Sequence, residues 1–207
     1  MRLLAFFKRE VVLTVAALCA LVSAVFCGVL HVAERQMRRY LPNPWLRAAV
    51  GGAAVIALTF LCGVTDYNGA GMEVITAAVE QGRCRPEAFL WKIVFTALTL
   101  SAGFKGGEVV PSFFIGATFG CVVGPLLGLP AGFSAAVGLV CVFCGATNTL
   151  VASIVLAAEL FSGAGFELMA LACGLSYMFS GYHSLYSSQG FRTSKLFSEF
   201  LQPKEEK

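Results

Sequence analysis

The stretch Ser101-Ala-Gly-Phe-Lys-Gly-Gly-Glu-Val-Val-Pro111 leads into fifty residues, 109–158, without an Asp, Glu, Lys, Arg or His. Such a run suits lipid, since about 20 consecutive apolar residues span a bilayer as a helix. Glu108 stands at its border, introduced by two glycines and followed shortly by Pro111. A carboxylate in that setting is destabilising unless it has a partner, a proton or a task. Lys105, three residues earlier, offers one partner as a salt bridge. Burial offers the other outcome, because it raises a carboxyl pKa and lets the group exchange a proton near neutral pH.

Composition gives the same setting. The chain is 57% hydrophobic and 13% charged, where soluble domains carry ~25% charged residues. The 207 residues leave room for roughly five to seven membrane segments, hence a single transmembrane domain over 1–207 with a short charged tail at 195–207. The net charge of +3 does not indicate nucleic acid, because the basic residues flank apolar runs instead of sharing one helical face. Arg2, Lys8 and Arg9 precede the first run and Arg35, Arg38, Arg39 and Arg47 follow it, so the positive-inside rule leaves orientation open.

Residues 11–30 are twenty uncharged residues, about 30 Å as a helix, and read as a retained span, not a signal peptide. A second run covers 46–64 and stops at the turn Thr65-Asp-Tyr-Asn-Gly69. Residues 71–79 are too short to span and read as re-entrant or interfacial, and 80–87 reads as an aqueous loop. Residues 88–104 form the next helix, with Lys92 near its start, where it can snorkel. Pro111 then suits the first turn of a new helix, where its missing donor has no use. That helix carries Gly116, Gly120, Gly124 and Gly128, a spacing that lets another helix approach closely. Pro125 and Pro130 end it, and 132–144 forms a further apolar segment.

Gly145-Ala-Thr-Asn-Thr149 is a second polar interruption, containing Asn148 and Thr149. Residues 150–161 and 166–179 follow as helices, and a polar cluster holds His183, Ser184, Tyr186, Ser187 and Ser188. Seven of eight cysteines lie in apolar stretches, and Cys84 alone sits in a polar connection. Cys141 and Cys144 form a C-x-x-C, read as small packing residues because no second pair or histidine lies nearby.

The predicted fold is therefore an all-α polytopic membrane protein with broken and re-entrant helices. Breaks at membrane depth are tolerated where they line a cavity or are buried in protein. Helix starts at such breaks present free N–H groups that favour an anion.

Gly106-Gly-Glu-Val-Val-Pro-Ser-Phe-Phe-Ile-Gly-Ala117 resembles the G-G-x-x-x-P segment of the CLC chloride channels and proton-coupled antiporters, which opens the second half of each subunit. Leu185-Tyr-Ser187 is similar to that family's late segment carrying its central tyrosine. The resemblance runs from the first helix to Ser188 and implies the fold of the second inverted repeat. Glu108, with Tyr67-Asn-Gly69 upstream, resembles the bacterial fluoride/proton antiporter branch.

The resemblance implies that the backbone N–H groups of Glu108 and Val109 contact a central anion, that of Val110 an outer one, and the Tyr186 hydroxyl the central site. It also implies that Glu108 assists proton movement. Phe113 or Phe114 offers ring edges, which are electropositive, toward the halide; core packing is the competing reading for either. The fluoride branch usually has Thr at the position of Val110 and Pro at that of Leu150, so chloride and fluoride both stay open.

Only the later of two inverted halves is matched, and nothing resembles the early G-x-E-G-P segment. The resemblance implies halide and proton transport across the plasma membrane of a bacterium, in a lipid bilayer, as a homodimer or with a partner N-terminal half. The alternative is a truncated, non-transporting remnant or an assembly subunit. No cofactor or metal is called for. An intramembrane aspartyl protease needs two Asp residues and only Asp66 is present. A serine dyad joins distant elements, whereas His183 and its serines share one segment, so His183 reads as a polar cap at the membrane boundary.

Overall fold

The computed structural model describes residues 2–163, 165–186, 189 and 195, with side chains from residue 9 onward. Ser187, Ser188 and the 195–207 tail apart from Lys195 lie outside the described residues. Within them the chain is all helical. The order is α1 (Arg2–Tyr40), α2 (Pro44–Cys62), α3 (Met72–Thr76) running into a π-helical turn (Ala77–Gln81), α4 (Ala88–Ser101), α5 (Val109–Leu126), α6 (Ala131–Thr147), α7 (Leu150–Leu160) and α8 (Phe166–Phe179). Residues 9–40 of α1, all of α2 and all of α5 are long and apolar enough to cross a membrane; α4, α6, α7 and α8 are apolar but shorter.

On α1 the buried side chains are Val12, Val15, Ala16, Cys19, Ala20, Ser23, Phe26, Cys27 and Leu30, the three-and-four spacing of a single helical face. That face packs on α6, α8 and α4. The helix outruns the predicted 11–30 and continues to Tyr40, helped by an i,i+4 pair between Glu34 and Arg38 at 2.7 Å and by Arg38 and Arg39 at its negative end.

The turn into α2 is capped: the Asn43 side chain accepts from the Trp45 N–H at 3.0 Å and Pro44 takes the first helical position. Gly63 closes α2 in the left-handed region, φ 66°. Only Gly51 of α2 is buried, while Trp45, Ile56, Phe60 and Leu61 are exposed, so this helix turns its apolar side chains outward, as lipid contact requires.

The α5–α6 pair forms the centre of the molecule. A Cβ on Gly116 would run into the Gly138 backbone, one on Gly120 into the Ser134 backbone, and one on Gly124 into the Ser134 side chain. The predicted close approach therefore exists, with α6 as partner. Gly128 takes no part in it: it lies beyond the helix at φ 83° with open space around it.

Several predicted boundaries move. α5 runs through Pro125 and ends at Leu126. The turn at Ala77–Gln81 extends into the predicted loop, and α4 stops at Ser101. The second interruption is shorter than 145–149: α6 continues to Thr147 and breaks at Asn148, whose φ of 56° is left-handed, a region that asparagine tolerates better than most residues.

Candidate functional site

Two glycines, a carboxylate and a proline fix how α5 begins. Glu108 occupies the N-cap position at φ −90° without using its side chain as a cap, and its carbonyl takes the first intrahelical bond, from Ser112 N–H at 3.2 Å. The N–H groups of Val109 and Val110 precede that bond and have no acceptor within the helix, while Pro111 has no N–H at all. The start of α5 therefore presents donors and a positive dipole end beside an uncapped carboxylate.

Glu108 is half-buried and lines a cavity of about 310 Å³ together with His31, Glu34, Ser101, Lys105 and Leu185. Burial pushes its carboxyl above the usual range, the Glu34 carboxylate adds to the rise, and His31 pulls the other way. The salt bridge considered with Lys105 is not formed; Lys105 is exposed, and no ion pair joins it to Glu108.

Val110 faces a different space, a cavity of about 510 Å³ lined also by Tyr67, Asn68, Lys92, Thr99 and Pro111. Gly106 borders both cavities, so the glycine strap separates the surroundings of Glu108 from those of Val110. Val109 is half-buried at the first position of α5.

Tyr186 is 43% exposed, and its N–H donates to Ser184 Oγ at 3.1 Å. Its neighbour Leu185 lines the Glu108 cavity and donates its N–H to the Ala146 carbonyl at 2.9 Å. The structure thus brings the Tyr186 segment to the end of α6 and next to the cavity of Glu108.

Phe114 is fully buried, edge-on to Tyr67 with ring centres 6.4 Å apart. Phe113 lies against Phe143 at 5.1 Å. Asn148 is buried and bonded at both ends: Nδ2 donates to the His183 carbonyl at 2.7 Å, and Oδ1 accepts from Lys195 Nζ. Lys195 also donates to the Tyr177 carbonyl at 3.0 Å. Thr149 pairs its hydroxyl with Thr147 at 2.7 Å. His183 is exposed.

Lys92 corrects the sequence reading. It does not snorkel but is 1% exposed, donating to the Tyr67 carbonyl at 3.1 Å and the Gly69 carbonyl at 2.7 Å, with its ammonium 4.8 Å from the centre of the Phe114 ring. It rivets the Tyr67-Asn-Gly69 turn to α4. The eight cysteines are free thiols; Cys144 Sγ donates to the Cys173 carbonyl at 3.5 Å, which fits a packing role. Among the described residues no cluster of three or more His, Cys, Asp or Glu could hold a metal ion.

Sequence reasoning missed His31, because a lone histidine late in a long apolar helix carries no pattern of its own. Its Nε2–H donates to the Ser184 carbonyl at 2.8 Å, a contact across 153 positions of sequence.

Residues 8–181 match the family model described as voltage gated chloride channel. A chloride/fluoride channel protein of Pseudomonas syringae pv. tomato (strain ATCC BAA-871 / DC3000) is 38% identical over 181 residues, covering 84% of this chain and 40% of that protein. The crystal structure of a CLC-type fluoride/proton antiporter superposes with a TM-score of 0.84 at 35% identity, covering 87% of this chain and 46% of that one. The chain thus spans less than half the length of each of these relatives.

Proposed function

The chain belongs to the voltage-gated chloride channel family, a membrane protein family, and from that premise we propose that it supplies the anion-binding second half of a halide transporter whose proton group is Glu108. One observation carries the reading: the free N–H donors at the start of α5 stand beside a carboxyl that is half-buried and lifted above its ordinary range. Donors that need no proton of their own can replace part of the hydration shell of chloride or fluoride. A carboxyl with a raised pKa can load and release a proton while the anion moves.

In this proposal Val109 and the Glu108 backbone hold a central anion, Val110 an outer one, and the Tyr186 hydroxyl completes the central site. Phe113 and Phe114, in the first turns of α5, pack against Phe143 and Tyr67. The two cavities that meet at Gly106 give water and ions room on either side of the strap. The setting is the plasma membrane of a bacterium, and the pathway is completed by the complementary N-terminal portion of a family member, within a homodimer or a two-part assembly.

The test is efflux of chloride and of fluoride from loaded liposomes, read by ion-selective electrodes, with residues 1–207 alone and with that complementary portion co-reconstituted. Halide efflux is expected only from the combined protein. Efflux from 1–207 alone would refute the two-part pathway, and no efflux from either would refute halide transport.

A further inference from the structure

His31 connects the two residues on which that transport reading rests. It lines the same cavity as Glu108, and its ring bond to Ser184 holds the segment that carries Tyr186. Ser184 is itself buried; its Oγ accepts the Tyr186 N–H at 3.1 Å and donates to the Gln189 side chain. One residue further on, Leu185 is tied to α6 through Ala146. The segment is thus fixed from α1 on one side and from α6 on the other.

The chemistry of the ring gives this contact a second consequence. A carbonyl oxygen only accepts, so Nε2 carries the proton and Nδ1 is left as the basic nitrogen. That bond fixes the ring through Nε2.

The charged and titratable groups on the surrounding elements are few. α1 contributes Cys27 and Glu34, the latter paired with Arg38 at 2.7 Å. The α4–α5 connection contributes Lys105 and Glu108, α2 contributes Arg47, whose guanidinium lies beside Gly103 of the cavity wall, and the segment after α8 contributes Tyr182, His183 and Tyr186. Among these, Glu34 and His31 act on the Glu108 carboxyl in opposite directions.

We propose that His31 sets the charge of Glu108 while anchoring the segment that carries Tyr186, so that one imidazole joins the carboxyl at the start of α5 to the tyrosine that follows α8. The inference rests on the proton role given to Glu108 above, and His31 is a positioning residue in it. Burial raises the Glu108 carboxyl, and His31 favours its carboxylate form. Glu34 works against His31, and its pairing with Arg38 moderates that effect.

The experiment follows the infrared carbonyl band of protonated Glu108 against pH in purified 1–207, the band being assigned by its loss in Glu108→Gln. His31→Gln keeps an N–H for the Ser184 carbonyl but cannot take up a proton. Its Glu108 midpoint is expected to rise, and an unchanged midpoint would overturn the proposal. Glu34→Gln is expected to lower the midpoint, which keeps the charge effect readable should His31→Gln fail to fold.

The anchor is read with fluorotyrosine at position 186. Its resonance should be unchanged in His31→Gln and displaced in His31→Ala; the same resonance in both would refute the anchor. Because the midpoint is read without transport, a shifted midpoint in a protein that moves no halide upholds this inference and refutes the transport reading.

Discussion

Gly116→Leu is expected to destabilise the protein by about 3 kcal/mol or more, the upper range for forcing extra atoms into a packed interior. The reason is what lies opposite. A Cβ at position 116 meets the backbone of Gly138 on α6, and one at position 138 meets the backbone of Gly116 in return. Backbone cannot swing aside as a long side chain can, so the whole α5–α6 pair has to separate. Separation would also move the start of α5, where Glu108 and the free N–H groups stand. Thermal unfolding in detergent, followed by size-exclusion monodispersity, checks this. Gly174→Ala in α8 is the control, because a Cβ there meets nothing within 4 Å, and it should be neutral or slightly stabilising. Equal thermal stability of the two variants would contradict the close-packing argument.

Lys92→Met is expected to cost about 2–4 kcal/mol. Methionine fills much of the same space and relieves the burden of a buried ammonium, which limits the loss. It cannot donate, however, so the Tyr67 and Gly69 carbonyls are left without their charged partner, at about 1–3 kcal/mol each where they stay buried. The Phe114 ring also loses its cation. The damage should be local to the turn before α3 and to the cavity beside Val110. Fluorescence of Trp91, adjacent in sequence to Lys92 and stacked near Tyr67 with ring centres 6.5 Å apart, should report it as a change in emission ahead of global unfolding. Emission and melting both equal to those of the unmodified protein would show that Lys92 is not the rivet.

These two sites also show what the sequence discloses and what it withholds. The glycines at 116, 120 and 124 predict a helix contact because removing side chains every four residues has few other uses in a membrane helix. The partner helix is not predicted, since nothing in α6 repeats that spacing as openly. The start of α5 is legible for a similar reason: Gly-Gly-Glu and a proline in the first turn constrain the backbone locally.

Lys92 is illegible because its meaning lies in two carbonyls 25 and 23 positions away. A lone lysine early in an apolar helix has the same local appearance whether it snorkels or is buried. His31 and Ser184 pose the same problem across 153 positions. The end of α6 misleads in the other direction: Gly145 to Thr149 has the composition of a loop, yet the helix persists until Asn148 adopts a left-handed conformation. A Cβ on Gly145 would run into Ser23 of α1 and crowd Ser176 of α8, so its glycine serves packing and not a turn.

The proton role proposed for Glu108 is tested most directly by measuring proton and halide movement together in liposomes carrying the proposed two-part assembly, with Glu108 intact and as Glu108→Gln. Glutamine keeps the size of the side chain and the backbone donors of α5 but cannot exchange a proton. Halide movement should persist while proton movement driven by the halide gradient falls to the level of empty liposomes. Unchanged proton movement in Glu108→Gln would contradict the assignment.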